Sequence, residues 1–179
     1  MKIDPTRTWR KVEERLQTEK DPILRRNLET ILAHMKAEAV GDVDALMATL
    51  AERAHYHAYG AAPEYSPFGR REVRKFYEAF IASGASKLEL DVDRLVVDRD
   101  CVLTEGVMRM AYPGSLCQAL GHEVDDPEAY YLFETRMAIL WPMDEEGKLL
   151  GEDTYSERDG FEGIANRKLA PEEIGTAGS

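Results

Sequence analysis

The sequence lacks the features that mark secreted, membrane-spanning or cysteine-bound metal proteins. It has only two cysteines, Cys101 and Cys117, among 179 residues, so we expect free thiols, and two cysteines alone do not make a metal site. It has no run of about 18 apolar residues and no charged-then-apolar leader. The sequence therefore predicts neither a membrane span nor export, and a cytoplasmic location.

Basic residues are also scarce. The chain has 23 Lys and Arg against 34 Asp and Glu, a net charge of −11 and a pI near 4.9. Because phosphates are bound by clustered Lys and Arg, this balance argues against a nucleic-acid partner. Pairs such as Arg25-Arg26 and Arg70-Arg71 are interpreted as solvated faces. The sequence has no internal repeat and no low-complexity block.

The length of the chain suits one domain, which would bury roughly 70% of its unfolded surface. A chain of this size can form both a hydrophobic core and a pocket. The pattern predicts a helical arm over residues 1–20 outside the main core, a domain over 21–161, and a C-terminal tail over 162–179. The end of that tail, 171–179, is small and polar, so we expect it to fray.

Capping residues indicate where the helices begin and end. Asp21 and Pro22 predict a helix start, since aspartate accepts from the first free N–H groups and proline fits the first turn. Gly41 predicts the end of that helix, and a short second helix over 43–50 follows. Apolar spacing predicts another helix over 70–83.

The rest of the chain is rich in strand-forming residues. A short strand at 55–59 precedes the third of these helices, and 113–128 is longer than a hairpin needs, which favours a lid or a partner contact. The longer strands are predicted at 88–98, 101–112, 130–141 and 149–157. Helices followed by antiparallel strands predict an α+β fold with helices on one face of a curved sheet.

The order of four sequence phrases carries a family resemblance: GDVDAL, HAYG, GRREVRKFY and DEEGKLLGEDTYSE. Over residues 23–161 the chain resembles the nuclear transport factor 2-like superfamily and, within it, the SnoaL-like enzymes. The resemblance implies a conical barrel, with a curved antiparallel sheet wrapped around three N-terminal helices and an apolar cavity, commonly in a homodimer. Members include ketosteroid isomerases, limonene epoxide hydrolases, polyketide cyclases, dehydratases, diarylpropane lyases and non-catalytic binding domains.

Matching residues to these members works by elimination. Where ketosteroid isomerases have a helix tyrosine this chain has His34, and in place of their strand aspartate it has Ala58, or His57 if the strand slips by one. A plain isomerase of that kind is disfavoured. The Arg-Asp-Asp triad of the epoxide hydrolases is absent, since its places hold Gly106, Met108 and Thr154. What remains resembles the SnoaL-like cyclases and the cofactor-free lyases.

Five residues are the candidate catalytic acids and bases: His34, His57, Tyr59, Glu105 and Glu152. Histidine suits this work because its ordinary pKa of about 6.5 lies near neutrality. The family register turns Glu152 inward, and a carboxylate in an apolar cup suits acid/base chemistry. It turns Tyr56 and Ala58 inward as well, which places His57 and Tyr59 where the strand opens at the rim.

Each candidate has a structural alternative. In the structural alternative the strand histidines cap or pack against Glu52 and the loop, and His34 is a partly exposed helix residue. A buried Glu105 needs a partner, and Arg136 on the neighbouring strand makes an ion pair the stronger interpretation.

A wall rich in tyrosine and methionine suits an aromatic or polycyclic ligand, although aromatic stripes are core by default. The expected substrate-binding residues are Tyr56, Phe76, Phe80, Met108, Tyr112, Arg136 and Trp141.

Three functions stay open. The preferred one is a cofactor-independent lyase or isomerase acting on an aromatic or polycyclic small molecule, with no cofactor and no metal, in a homodimer. The second is a non-catalytic small-molecule-binding or dimerisation module. The third is a metal-dependent enzyme that uses His55, His57 and Glu64 as ligands.

Overall fold

The computed structural model describes residues 2–177, apart from the side chain of Glu64. The helices within this range are α1 (Arg7–Thr18), α2 (Pro22–Val40), α3 (Val43–Ala48), α4 (Arg70–Ala82) and α5 (Gly114–Ala119). The strands are β1 (His57–Tyr59), β2 (Leu88–Val97), β3 (Cys101–Pro113), β4 (Tyr130–Pro142), β5 (Asp153–Ser156) and β6 (Lys168–Leu169).

Side-chain and glycine caps set the long helix α2, as the sequence predicts. The Asp21 carboxylate accepts from the N–H groups of Ile23 and Leu24 at 2.8 and 3.3 Å, which satisfies two donors that the first turn leaves free. Gly41 closes the helix with a φ of 72°. One residue later, Asp42 caps α3. The two helices therefore meet at a tight corner.

The strands form one curved sheet in the order β1-β5-β4-β3-β2, with β6 on β4. Pairing is antiparallel from β2 to β5, whereas β1 joins β5 in parallel. A bulge between Val92 and Arg94 bends β2. The predicted α+β fold, with helices on one face of a curved antiparallel sheet, is confirmed, and the sheet does not close into a full barrel.

The concave face of the sheet packs against α2 and α4. Alternate residues of the strands, such as Val92, Val102 and Ile139, join one core cluster with Ile31 and Tyr77 from the helices. The intervening residues point to the convex face, because successive strand residues face opposite sides. This register decides which of the candidate residues can reach the interior.

The N-terminal arm is part of the core, which corrects the prediction that residues 1–20 lie outside it. Val12 of α1 has no exposed surface and belongs to the main cluster. The Thr8 hydroxyl accepts from the N–H of Leu90 at 3.0 Å. Trp9, Val12 and Leu16 form one apolar stripe, as their spacing predicts, but the spacing does not identify what the stripe packs against. The stripe packs against the core under α2 and the edge of β2.

The C-terminal tail is ordered as far as residue 177, so the expected fraying of 171–179 is wrong over the described part. Leu169 in β6 pairs with Tyr130, and Ile174 makes a bridge to Ile3. The Ile3 and Lys2 N–H groups donate to the carbonyl of Glu173. Residues 178 and 179 lie outside the described range.

Gly106 is required by the close approach of β2 to β3. A Cβ there would lie 2.1 Å from the Asp91 carbonyl oxygen and 2.9 Å from the Val92 Cα, so backbone would have to move. We expect Gly106→Ala to lower the free energy of unfolding by about 1–3 kcal/mol, in the range of overpacked cores, in urea titrations. Ser156→Ala, at an exposed strand position, should stay within about 0.5 kcal/mol of the parent. Equal midpoints for the two variants would contradict the clash.

Candidate functional site

Five polar side chains meet under the concave face of the sheet and form what we call the polar cluster. They are His34 from α2, Thr49 after α3, Tyr56 before β1, Tyr77 from α4 and Glu152 before β5. His34 has no exposed surface, and the Glu152 side chain is 13% exposed. The surroundings are apolar, since Met35, Trp141 and other core residues pack around the cluster. A polar group placed in such a region needs internal partners.

Local sequence explains how Glu152 reaches this position. Gly151 has a φ of 149°, and a Cβ on it would lie 1.7 Å from the carbonyl oxygen of His55. Only glycine permits that approach. The His57 N–H then donates to the Glu152 carbonyl at 2.7 Å, which fixes the Glu152 side chain on the concave side of the sheet.

The hydrogen bonds of Thr49 determine the tautomer of His34. The Thr49 hydroxyl donates to the Leu46 carbonyl at 2.6 Å, so its oxygen is left to accept. His34 Nδ1 lies 2.7 Å from that oxygen. The Nδ1 atom therefore carries a proton and donates it to Thr49, which leaves Nε2 to face the rest of the cluster.

The Nε2 atom of His34 faces the Tyr77 and Glu152 oxygens, neither of which has a proton to donate to it. Tyr77 donates its hydroxyl to Glu152 Oε1 at 2.8 Å, and Tyr56 is left to donate to the Tyr77 oxygen at 3.1 Å. His34 Nε2 lies 3.2 Å from Glu152 Oε1 and 3.3 Å from the Tyr77 oxygen. These contacts are satisfied only if one further proton lies between Nε2 and Oε1. His34 and Glu152 therefore share a proton, as imidazolium with carboxylate or as imidazole with carboxylic acid.

Glu38 is a further acid at this site that sequence reasoning missed. It lies one helical turn after His34 and is half-buried. Burial, and then the charge of Glu152, raise the pKa of its carboxyl from 4.5 to about 8. The i, i+4 spacing from His34 was the available signal, since such residues share a helix face. The same two causes, burial first, raise the pKa values of Tyr56 and Tyr77 well above the usual range, so both phenols stay protonated donors.

Glu38 should make stability depend on pH. In the unfolded chain its carboxyl loses a proton near pH 4.5, whereas the folded chain holds that proton to about pH 8. Folding therefore becomes less favourable as pH rises through this window, because the unfolded state binds fewer protons. We expect urea titrations between pH 5 and pH 8 to show a smaller decline of the free energy of unfolding in Glu38→Gln. Identical declines in the variant and the parent would contradict this.

His57 and Tyr59 do not join the polar cluster. They lie on the convex side, where His57 Nδ1 is 2.6 Å from Asp153 Oδ1 and Tyr59 stacks on Tyr155 at 4.4 Å between ring centroids. The cause is the register of β1, in which the inward Ala58 pairs with Thr154, so its neighbours face outward. The prediction that His57 and Tyr59 lie at the rim of the cup is therefore wrong. The His55 ring contacts the tilted ring of His57 at 3.8 Å between centroids and the edge of Phe68 in the following loop at 4.8 Å, which resembles the alternative in which the strand histidines pack against the loop.

Glu105 and Arg136 also lie on the convex face. The Arg136 guanidinium donates to Glu105 at 2.9 Å and to Asp93 at 2.8 Å, and Arg94 pairs with Glu105 as well. Their inward neighbours are Gly106 and Met137, which pair in the sheet. Glu105 and Arg136 therefore form the structural ion pair that was the alternative to catalysis. The prediction that Arg136 lines a substrate cavity is wrong, because its side chain lies on the convex face.

Trp141 and Met108 lie on the concave side, as expected. Trp141 is almost fully buried; its ring meets the edge of His34 at 5.7 Å and its Nε1 donates to Thr104 at 2.9 Å. It therefore orients the imidazole from the core. Met108 is half-buried and packs against the main cluster.

Three expected substrate-binding residues, Phe76, Phe80 and Tyr112, line a common groove. The groove has a volume of about 600 Å³ and runs between α4, the 60–69 loop and α5. Its other apolar lining includes Tyr65, Phe68, Leu116 and Leu120. The 113–128 segment, expected as a lid or a partner contact, thus supplies one wall. The polar cluster does not line this groove, and Phe76 packs against Tyr77 at 5.5 Å, between the two.

The described residues offer no metal site. Within residues 2–177, no group of three or more His, Cys, Asp and Glu side chains is arranged to hold a metal ion. The side chain of Glu64, part of the metal hypothesis, lies outside the description. No helix in the same range is long and apolar enough to cross a membrane.

Comparisons with known proteins agree with this architecture. The chain is similar to a SnoaL-like polyketide cyclase candidate from Shewanella denitrificans, with a TM-score of 0.65 and 13% identity over 82% of this chain and 98% of that one. It is also similar to an LEH-like epoxide hydrolase from M. tuberculosis, with a TM-score of 0.61 and 17% identity over 82% and 94%. A third similar structure is a polyketide cyclase candidate from Xanthomonas campestris, with a TM-score of 0.56 and 19% identity over 80% of this chain and 97% of that one.

No curated protein matches the sequence. The profile of the SnoaL-like domain matches residues 31–135, which is more than half of the chain and includes α4 and most of the sheet. The chain therefore belongs to the SnoaL-like domain family of the nuclear transport factor 2-like superfamily.

Proposed function

We propose that this protein is a cofactor-independent acid/base enzyme, a lyase or isomerase, that acts on an aromatic or polycyclic small molecule. The observation that carries the proposal is the contact of His34 Nε2 with Glu152 Oε1 at 3.2 Å in an apolar interior. A site that gives or takes one proton with little rearrangement is what general acid/base catalysis needs.

The polar cluster supplies each role that such a reaction requires. The contacts from His34 and Tyr77 both reach Oε1 of Glu152, and the side chain keeps some exposed surface, so Oε2 is the atom that we assign to a guest. As a carboxylate it takes a proton from a C–H or O–H group. Tyr77, Tyr56 and the imidazolium of His34 then donate toward negative charge on Glu152 or on a substrate oxygen.

Thr49 and Trp141 keep His34 ready for this role. The Thr49 oxygen holds the proton on Nδ1, so that Nε2 is the atom which exchanges protons with Glu152. The Trp141 ring, inclined at 69° to the imidazole, and the surrounding core limit rotation of His34. Catalytic groups fixed in this way need no reorganisation during the reaction.

The groove beside α4 supports an aromatic substrate. Phe76, Phe80 and Tyr112 give it an apolar lining of about the volume of ordinary ligand sites. Movement of Phe76 would join the groove to Tyr77 and the polar cluster. Structural relatives are described as a polyketide cyclase candidate and an epoxide hydrolase, and a polyketide-like or steroid compound is the alternative substrate that we propose for the same groove.

A second candidate is a small-molecule-binding module without turnover. Its support is that His34 has a partner at both ring nitrogens and that the groove does not reach the polar cluster. In this case the cluster would serve only to satisfy buried polar groups.

Proton exchange in heavy water separates the two candidates. The protein would be incubated with a panel of phenols, aryl ketones and polycyclic ketones in D₂O, and loss of substrate C–H signals followed by NMR. The proposal expects protein-dependent exchange or conversion of at least one compound that binds. Compounds that bind in the groove, seen by chemical-shift changes at Phe76 and Phe80, without any exchange or conversion would favour the binding module.

A further inference from the structure

We propose that Glu38 passes protons between solvent and the His34–Glu152 pair, and so resets the acid/base site after each turnover. This inference rests on the proposed function, because it concerns how the same site recovers its proton. The inference rests on three features of Glu38: it lies one helical turn after His34 on α2, it is half-buried, and its carboxyl has no hydrogen-bond partner within residues 2–177.

The His34–Glu152 pair needs such a route because it is closed to bulk solvent. His34 is fully buried, and both ring nitrogens are occupied by Thr49, Tyr77 and Glu152. The two phenols that surround Glu152 are themselves buried. A bound substrate would cover the exposed part of Glu152. A proton lost to the product must then return through another group.

Glu38 has the position for this task. It lies one turn beyond His34 on α2, so the two side chains project from one helix face. Within residues 2–177 its carboxyl has no hydrogen-bond partner, and its oxygens keep some contact with solvent. A half-buried carboxylate without a hydrogen-bond partner lowers the stability of the fold unless it is protonated, so its presence here suggests a function.

The charges around Glu38 support proton exchange with Glu152. Glu152, Tyr56 and Tyr77 are the titratable groups that act on it or are acted on by it. Lys36 on α2 is paired with Glu13 of α1. Arg74 of α4 is likewise paired, with Asp44 of α3. Burial and the nearby charge of Glu152, with no cation paired to Glu38 among the described residues, favour the protonated form of Glu38.

The proton transfer balances with water alone. After a substrate has taken the shared proton, the O–H bond of the Glu38 carboxyl breaks and its proton passes to a water molecule. That water gives up one of its own protons, which forms a new O–H bond on Glu152. The Glu38 carboxylate then takes a proton from solvent. Nothing is oxidised or reduced.

NMR of ¹⁵N-histidine in the ligand-free protein tests this role without a substrate. The chain has only four histidines, so the buried His34 can be assigned. In the parent we expect the His34 signals to show an inflection near pH 8, where Glu38 loses its proton. In Glu38→Gln we expect that inflection to vanish and the exchange of the His34 Nε2 proton with water to slow by about 10²-fold, the lower end for a positioned acid/base group.

Glu29→Gln is the matched control, since it makes the same change at an exposed position of the same helix, where Glu29 pairs with Arg25. It should keep both the inflection and the exchange rate. An inflection or an exchange rate that is unchanged in Glu38→Gln would overturn the proposal. If that variant does not fold, glutamate-labelled ¹³C spectra of the parent decide: a carboxyl that titrates near pH 8 together with His34 supports it, and the lack of one overturns it. Because no turnover is measured, failure here leaves the proposed function standing.

Discussion

Glu152→Gln is expected to lower the rate of whichever reaction the protein catalyses by about 10²- to 10⁴-fold, the range that a positioned acid or base contributes. The amide keeps the shape of the side chain but cannot exchange a proton with His34 Nε2, 3.2 Å away in the parent. Tyr77 can still donate to the amide oxygen, so the fold should survive. The measurement is kcat and KM on any compound that passes the heavy-water screen. We expect the loss in kcat, because the missing step is proton transfer.

Glu157→Gln is the control for this variant. Glu157 follows β5 and is exposed, so the same substitution there should leave kcat and KM unchanged. A Glu152→Gln protein that is folded and retains the parent kcat would show that the shared proton has no part in the chemistry. A change in KM alone would assign Glu152 to binding.

Glu89→Ala is expected to cost about 3–5 kcal/mol of the free energy of unfolding, the range for breaking one partner of a buried ion pair. The Glu89 side chain has no exposed surface. Its carboxylate accepts from Arg109 at 2.6 Å, from Arg7 at 3.3 Å and from the N–H of Asp4. Removing it leaves Arg109 in a partly buried position with Glu134 as its remaining close partner at 2.8 Å.

The Glu89 variant also tests how α1 is attached. Because two of the three donors belong to residues 4–7, we expect faster hydrogen exchange throughout α1 in addition to the lower urea midpoint. Glu14→Ala, at an exposed position of α1, should stay within about 0.5 kcal/mol of the parent. Loss of stability in Glu89→Ala with unchanged protection of α1 would mean that the arm is held by Val12 and its apolar neighbours alone.

Much of the fold could be predicted from local sequence. Asp21, Pro22 and Gly41 mark the ends of α2, since their caps depend on residues within one turn. The four longer strands could be predicted from runs of strand-forming residues separated by turns. Residues 1–20 were misplaced because a stripe of three apolar residues shows that α1 packs, but not on what. The ordered tail depends on Leu169 and Ile174 meeting distant strands, which no local pattern records.

The candidate site was predictable only in part. His34 and Glu152 were chosen from their place in the family register, and the structure brings them together. His57 and Glu105 were equally plausible from sequence, but a strand presents alternate residues to opposite faces, and a shift of one residue reverses them. The register of β1 and β3 is fixed by partners far along the chain. Glu38 was missed because the raised pKa of its carboxyl depends on burial in the folded chain and on Glu152, which is distant in sequence, and the sequence of α2 encodes neither.

A crystal structure of the protein soaked with a compound that it turns over would test the central claim most directly. The account predicts density for the compound within about 3 Å of Glu152, the reach of a general acid or base, with Phe76 displaced from its contact with Tyr77. Density confined to the groove between α4 and α5, with His34, Tyr77 and Glu152 still bonded only to one another, would contradict it.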